Sequence, residues 1–312
     1  MALAVGLGNL ALLLRNWSAL DASPAYLVIR LVGVCWSFVA AGLVALAHRP
    51  GNRTGWLMIA FGLTWSLHGL AVLGGPLPST LRFLVATVPD AVLAHLIAVF
   101  PEGRATTRLQ RVFLVANYAT TVPLAVVELL LVSPDLLGCP ACLSGVTGRA
   151  ATGEAATGEP VLAGSHLLEV SLAALLLWIV VTRWRQAPGV LRRSMAPVVL
   201  VGLVLLIVYL VQQSLALAWP ATPERIDIAF EWTVLLMLTL WPLAFLIGLA
   251  RLRLDRSAVG ALALRLGGTV PPRGLEQAIA SALHDPTLRL LYWLPDRHVF
   301  VDVAGIQTPL PA

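Results

Sequence analysis

Charged side chains occur inside long apolar stretches of this sequence, where a charge is costly unless it has a partner or a function. They are Arg30, Asp90, Glu128, Glu169 and Glu231. On the topology argued below, Arg30 and the glutamates fall within a turn or two of the outer ends of their helices. Arg82 marks an outer end too, and Asp90 lies about 12 Å deeper than Arg82 along the same helix. A cation facing several acids predicts an outward-facing polar pocket that senses a signal. The plainer interpretation is that each long side chain reaches the lipid headgroups separately.

Asp90 is the strongest single candidate for a residue that responds to a signal. Its side chain is too short to reach the headgroups, and it follows Pro89, which removes a backbone donor and can kink a helix. His68 and His95 also lie in apolar stretches, and we interpret them as hydrogen-bonded bundle residues rather than proton relays. Because Asp90 and His95 are five residues apart, they do not share a helix face.

Two of the three cysteines, Cys139 and Cys142, form a CxxC motif in the loop 133–164, which continues as a Gly/Ala/Thr-rich run. On an oxidising side of a membrane, a disulfide between them is the plain expectation. The alternative is a zinc site, which needs further ligands, and His166 is the nearby candidate. Cys35 stands in an apolar stretch and predicts core packing. No motif predicts another metal site, a cofactor site or a catalytic residue.

The composition indicates an integral membrane protein. Of 312 residues, 58% are hydrophobic and 12% are charged, whereas a soluble domain carries about 25% charged residues. The mean hydropathy is +0.85. The net charge of +5 comes from arginine alone, because the sequence has no lysine. These arginines stand in loops beside apolar stretches, so they indicate membrane topology rather than nucleic-acid binding.

Seven apolar stretches of about 17–25 residues are each long enough to cross a bilayer as a helix. They are residues 24–47, 55–73, 82–100, 112–132, 165–181, 195–219 and 229–249. Residues 1–17 form a further, shorter stretch, which is a short first span, a clipped span or a signal sequence. The predicted fold is therefore an all-α membrane bundle with seven or eight transmembrane helices.

Arginine alternates between the loops. The segments 48–53, 101–111, 183–193 and 251–256 are rich in arginine, whereas 74–80, 133–164 and 220–227 hold one or none. The positive-inside rule then puts the arginine-rich segments and the C-terminus in the cytoplasm. We expect a multi-pass protein of the cell membrane, with the lipid bilayer as its first partner.

The chain divides into a transmembrane domain, 1–250, a juxtamembrane helix, 251–268, and a cytoplasmic α/β piece, 269–312. In the juxtamembrane helix, apolar residues at heptad-like spacing predict a short coiled-coil seam and a homodimer, although Asp255 interrupts the seam. The seam consists of Leu252, Val259, Leu262 and Leu266. An amphipathic helix lying on the membrane is an equal alternative. A helix at 274–283 and strands at 288–294 and 298–303 follow, too few for a complete core.

Several stretches resemble one family, the actinobacterial sensor histidine kinases with a multi-span membrane region. The likeness lies in HRPGNRTGWLMIAFG (48–62), LIAVFPEGR (96–104), PLAFLIGLARLRLDRSAVGALALRLGG (242–268) and LEQAIASALHDPTLRLLYWLPDRHVFVDVAGIQTPLP (275–311). The CxxC motif also fits. The resemblance implies membrane sensing, dimerisation, control of autophosphorylation on a downstream histidine, and a response regulator as partner.

The sequence departs from that family because it has no transmitter half, so we expect it to be the sensing part of a longer kinase. His284 lies in Ala-Leu-His-Asp, which echoes a phosphoacceptor motif, but Pro286 would end the helix that a phosphoacceptor needs. No asparagine follows Asn117 and no GxG follows Ala250, as an ATP-binding domain would require. The response regulator would therefore be reached only through a transmitter domain.

Two other functions remain as alternatives. A transporter or permease would use charged residues near the middle of the bilayer and would often show an internal repeat. The sequence shows no convincing repeat, and most of its charges lie near span ends. A membrane enzyme would need clustered acid/base groups or metal ligands, and the acids are the only candidate set, with no HExxH or similar motif beside them.

Overall fold

The structure is a computed structural model that describes most of the chain. The described residues are 7–8, 10–11, 14–15, 26, 28–48, 50–143, 158–187, 189–219, 224–266, 276, 280, 289–295, 299–302 and 305–307. Most of the short stretch at 1–17 therefore lies outside the described residues.

Seven α-helices occupy the described part of the chain, one at each of the predicted apolar stretches. They are α1 (Val34–His48), α2 (Thr54–Trp65), α3 (Pro76–Val99), α4 (Arg108–Leu131), α5 (Gly158–Gln186), α6 (Gly189–Ala218) and α7 (Glu224–Leu266). A π-helical turn, Ile29–Gly33, precedes α1, and a 3₁₀ helix, Ser66–Leu73, follows α2.

Five helices are long and apolar enough to cross a membrane, which indicates a membrane-embedded protein. These segments are Pro76–Val99, Arg108–Leu131, Gly158–Gln186, Met195–Ala218 and Arg225–Arg251. The number is lower than the seven or eight predicted, because the first two apolar stretches do not form single long α-helices.

Helices α1 and α2 are short for local reasons. The chain enters α1 through the π-helical turn, so the α-helix has only 15 residues. Helix α2 has 12 residues and then tightens into the 3₁₀ helix. At this point the hydroxyls of Thr64 and Ser66 bond back to the carbonyls of Ala60 and Leu63, at 2.9 and 2.6 Å. Such back-bonding competes with regular helical hydrogen bonds.

Helices α1 and α2 pack with their backbones almost in contact. A Cβ added to Gly42 would lie 2.7 Å from the carbonyl oxygen of Gly55, and a Cβ added to Gly55 would lie 2.8 Å from that of Gly42. Small residues permit such close approach between membrane helices. Beside this contact the ring centroids of Phe38 and Phe61 lie 4.3 Å apart, and Cys35 is fully buried.

Helices α3 to α6 pack around a second apolar core. Its buried members include Ala98, Phe113, Leu176 and Leu206, one from each helix. The consecutive pairs α3–α4, α4–α5 and α5–α6 are in contact. This packing determines which polar side chains of the four helices can meet.

The chain forms two compact units, Met1–Leu246 and Ile247–Ala312. Helix α7 extends to Leu266, so most of the predicted juxtamembrane segment is the end of α7. The seam residues Leu252, Val259, Leu262 and Leu266 have side chains outside the described set, and the seam stays a prediction.

In the second unit, strands β1 (Tyr292–Leu294) and β2 (Val299–Val301) pair antiparallel, with Trp293 opposite Phe300. Both strands are shorter than the predicted 288–294 and 298–303. Most of the helix predicted at 274–283 lies outside the described residues. Within that range the structure describes Glu276 and Ala280, and both are helical. The Glu276 carboxylate accepts a hydrogen bond from the Leu290 backbone at 3.0 Å.

Candidate functional site

Helices α3 to α7 and Trp65 of α2 surround a cavity of about 300 Å³, which we call the acidic cavity. Most of its wall is aliphatic. Its polar groups come from four helices, α3 to α6, and three of them are the carboxylates of Asp90, Glu128 and Glu169. Helix α7 closes one side with Val234 and Leu238. The cavity thus brings together three of the five charged residues singled out in the sequence.

Asp90 faces this cavity from the middle of α3. It is 14 residues from the start of the helix at Pro76 and nine from its end at Val99, so it is about 21 Å and 14 Å from the two ends. The side chain is exposed to the cavity, which it lines together with residues of α4, α5 and α6. It makes no hydrogen bond or ion pair with any residue that the structure describes.

Helix α4 supplies neutral polar groups beside Asp90. The Asn117 amide donates to the Ala91 carbonyl of α3 at 3.1 Å, and the Thr87 hydroxyl donates to the Thr121 carbonyl at 3.3 Å. These bonds cross between α3 and α4 at the level of the cavity. They fix the two helices against each other and satisfy polar atoms that lipid could not satisfy.

Glu169 lies in a hydrogen-bonded group formed by α5 and α6. Gln213 donates to the Glu169 carboxylate and to the Tyr209 hydroxyl, the latter at 3.0 Å. Tyr209 in turn donates to Glu169. His166 Nδ1 is 3.9 Å from the same carboxylate and is a buried nitrogen without a hydrogen-bond partner among the described residues. Glu169 is therefore held in a fixed position.

The three carboxylates are close enough for their charges to interact, since both Glu128 and Asp90 act electrostatically on Glu169. Glu128 makes no side-chain hydrogen bond or ion pair with described residues. Among the described residues that line the cavity, none is arginine, lysine or histidine. The arrangement can therefore attract and hold positive charge.

Arg30 and Glu231 form a separate cluster, although the sequence grouped them with the other acids. Arg30 donates to the Tyr26 hydroxyl at 2.7 Å, and Tyr26 donates to Glu231 at 2.8 Å. The indole of Trp65 donates to the Arg30 carbonyl at 2.6 Å. Arg30 does not line the cavity, but its charge acts on Asp90 from outside the cavity wall.

The two histidines of the apolar stretches have partners outside the cavity. His68 Nδ1 is 2.9 Å from the Trp65 carbonyl, and its ring lies 4.6 Å from that indole. His95 Nδ1 is 3.0 Å from the Tyr118 hydroxyl. These contacts agree with the interpretation of both residues as hydrogen-bonded bundle histidines.

Two stretches that carry the family resemblance contact each other in a group that we call the loop clasp: Asn52, Thr54, Pro101 and Gly103. The Asn52 amide donates to the Pro101 carbonyl at 2.9 Å, and its oxygen accepts from the Thr54 backbone and hydroxyl at 2.9 and 2.8 Å. Gly103, at φ +70°, packs directly against this asparagine. The clasp joins the α1–α2 connection to the α3–α4 connection.

Arg183 of α5 ties the α3–α4 connection to the bundle. Its guanidinium donates to the Ala98 and Phe100 carbonyls at 2.7 and 3.1 Å and forms an ion pair with Glu102. These carbonyls lie at the end of α3, where a cation is favourable. A second cavity, of about 280 Å³, lies beside this group.

Cys139 and Cys142 form a disulfide, with their Cα atoms 5.4 Å apart. Next to them the Leu143 backbone donates to the Thr80 hydroxyl of α3 at 2.9 Å. Both cysteine sulfurs are used in that bond, so they are not available as zinc ligands. Among the residues that the structure describes, no group of three His, Cys, Asp or Glu side chains can hold a metal ion.

The polar residues of the site that the sequence interpretation missed include Asn117, Tyr209 and Gln213. Each is a polar side chain within an apolar stretch, which is the same signal that identified the charged residues. Considering amides and hydroxyls together with charges would have found them.

The class of protein that the fold and cavity define is a helical membrane protein with an acidic internal cavity. No family model, curated protein or solved structure matches the chain.

Proposed function

We propose that the protein is the membrane-embedded input module of a two-component sensor histidine kinase and that its sensing site is the acidic cavity. The observation that carries this proposal is the course of α7. The helix contributes Val234 and Leu238 to the cavity wall and ends at Leu266, 28 residues after Leu238. One helix therefore belongs both to the cavity and to the segment that follows the membrane part.

The topology in this proposal follows the arginine distribution. All seven apolar stretches cross the cell membrane, and α2 with its 3₁₀ extension supplies the second crossing. Its 12 α-helical and eight 3₁₀ residues span about 34 Å, enough for a bilayer core of about 30 Å. The arginine-rich loops and Ala312 are cytoplasmic, so the loop clasp also lies on that side.

The mechanism is a shift between two arrangements of α7. A ligand that binds one arrangement more tightly shifts the population towards it by its difference in affinity. Because Val234 and Leu238 line the cavity, filling the cavity changes the packing of α7. In a homodimer joined by the Leu252–Leu266 seam, that change reaches a kinase core and its response regulator through a transmitter domain outside residues 1–312.

The proposal is tested by disulfide crosslinking of the full chain in membrane vesicles. Val259→Cys and Leu262→Cys lie in the seam, whereas Leu264→Cys is on the opposite side of the same helix and serves as the matched control. We expect covalent dimers for the two seam variants and none for the control. A protein without an added cysteine shows the background from the three native cysteines.

Equal crosslinking at all three positions, or no crosslinking at any of them, would contradict the dimeric signalling helix and favour a helix on the membrane surface. A second measurement addresses orientation. A tag fused after Ala312 should be inaccessible from outside intact cells and become accessible after lysis. A tag that is accessible in intact cells would contradict the topology and the signalling role.

A transporter or permease is the second candidate, and the acidic cavity favours it, because carboxylates enclosed by membrane helices also occur on solute pathways. The protein reconstituted in liposomes provides the test. Flux of a cationic solute that Asp90→Ala abolishes would support this candidate and contradict a sensor without transport. We expect no flux.

A further inference from the structure

We infer that the acidic cavity binds a small organic cation, a molecule with one ammonium centre and an apolar body. The inference rests on the proposed function only for the consequence of binding, which is signalling. The binding itself follows from the charge, lining and size of the cavity.

Charge is the first argument. Asp90, Glu128 and Glu169 come from three different helices and line one cavity, where Asp90 and Glu128 act electrostatically on Glu169. Like charges in such a space repel, so holding them together costs free energy that a bound cation would recover. Arg30, whose charge acts on Asp90 from outside the wall, is already hydrogen-bonded to Tyr26 and does not line the cavity.

The state of Asp90 is the second and independent argument. Its carboxylate lies near the middle of α3, lines the cavity and has no hydrogen-bond or ion-pair partner among the described residues. Glu169, by contrast, already accepts hydrogen bonds from Gln213 and Tyr209. A carboxylate at mid-depth of a membrane helix without a partner is costly, and a positively charged ligand would supply that partner.

The lining selects an organic cation over a metal ion. Most of the wall is aliphatic, and the rings of Trp65, Phe113 and Tyr209 are part of it. An apolar wall suits the apolar body of an organic cation better than a hydrated metal ion. The described acids do not form a group that can hold a metal ion. The volume of about 300 Å³ is at the lower end for small-molecule sites.

The experiment uses benzyltrimethylammonium as the probe and benzyl methyl sulfone as a neutral molecule of similar shape. Binding to the purified full chain in lipid nanodiscs is measured by isothermal titration calorimetry. We expect saturable binding of the ammonium compound and at least about tenfold weaker binding of the sulfone, because only the cation interacts with the carboxylates.

Three variants test the site. Asp90→Asn and Glu169→Gln should each weaken binding of the ammonium compound about tenfold or more. The matched control is Glu231→Gln, which removes an acid from the separate Arg30 cluster and should change the dissociation constant less than twofold. If Asp90→Asn does not yield a monodisperse protein, Glu128→Gln replaces it, because Glu128 has no hydrogen bond to lose among the described residues.

Absence of saturable binding, equal binding of the sulfone, or unchanged binding in both cavity variants would each overturn the inference. Its failure is distinguishable from failure of the proposed function. Binding that leaves crosslinking through Val259→Cys unchanged supports the cation site and contradicts the sensor. A seam-specific crosslinking pattern without binding supports the sensor and overturns the cation site.

Discussion

Replacing Gly103 by alanine should destabilise the protein strongly, because the residue combines a left-handed backbone with a crowded site. Its φ is +70°, and an added Cβ would lie 2.8 and 2.9 Å from the backbone nitrogens of Thr54 and Arg53. The Asn52 side chain is closer still. The chain cannot accept the methyl group without moving Asn52, which holds Pro101 and Thr54.

The magnitude has two parts. The left-handed conformation costs an alanine about 1–2 kcal/mol relative to glycine. Displacing Asn52 loses three hydrogen bonds, each contributing about 0.5–1.5 kcal/mol. We therefore expect Gly103→Ala to lower the free energy of unfolding by about 3–5 kcal/mol, measured by reversible unfolding in mixed micelles with increasing SDS.

Gly138 provides the matched control. It has φ +63° and no heavy atom within 4 Å of an added Cβ, so Gly138→Ala should cost only the backbone part, about 1–2 kcal/mol. The double variant Asn52→Ala with Gly103→Ala should be less destabilised than the sum of its single changes, because the clash with Asn52 is gone. Equal costs for Gly103→Ala and Gly138→Ala would refute the reasoning.

Two further outcomes follow from other contacts. Arg183→Met should lower the free energy of unfolding by about 2–4 kcal/mol in the same assay, because it removes charge-assisted hydrogen bonds to backbone carbonyls. Glu102→Gln should cost less than about 1 kcal/mol, since that side chain is 40% exposed. Equal costs for the two variants would contradict the role of the carbonyl hydrogen bonds. In denaturant without reductant, a maleimide should label only Cys35, and after reduction it should label Cys139 and Cys142 as well. The labelled positions are identified by mass spectrometry. Labelling of all three cysteines before reduction would contradict the disulfide.

The positions of the helices were predictable, but not all of their ends. Hydropathy alone located all seven, because lipid-facing and core-facing residues are both apolar. Helix α5 begins at Gly158, seven residues before the predicted start, since Glu159 and Pro160 are favourable in a first turn but are not apolar. Helix α3 likewise begins at Pro76 rather than at 82.

The sequence identifies the individual charged residues of the site better than it identifies which of them lie close together. A charge in an apolar stretch is visible in the sequence, so Asp90 and Glu169 were found. Their proximity depends on which helices are neighbours, and periodicity within one helix does not contain that information. For the same reason Arg30 was grouped with the cavity acids, whereas the structure pairs it with Tyr26.

The close packing of α1 and α2 also bears on how the protein enters the membrane during synthesis. The two α-helices have only 15 and 12 residues, and each reaches the length of a bilayer core only together with its π or 3₁₀ extension. Since Gly42 and Gly55 let the two backbones meet, the pair can be inserted as a preformed hairpin in which each helix shields the other. A large residue at Gly42 would then act on biogenesis, reducing the amount of inserted protein before it affects the mature fold.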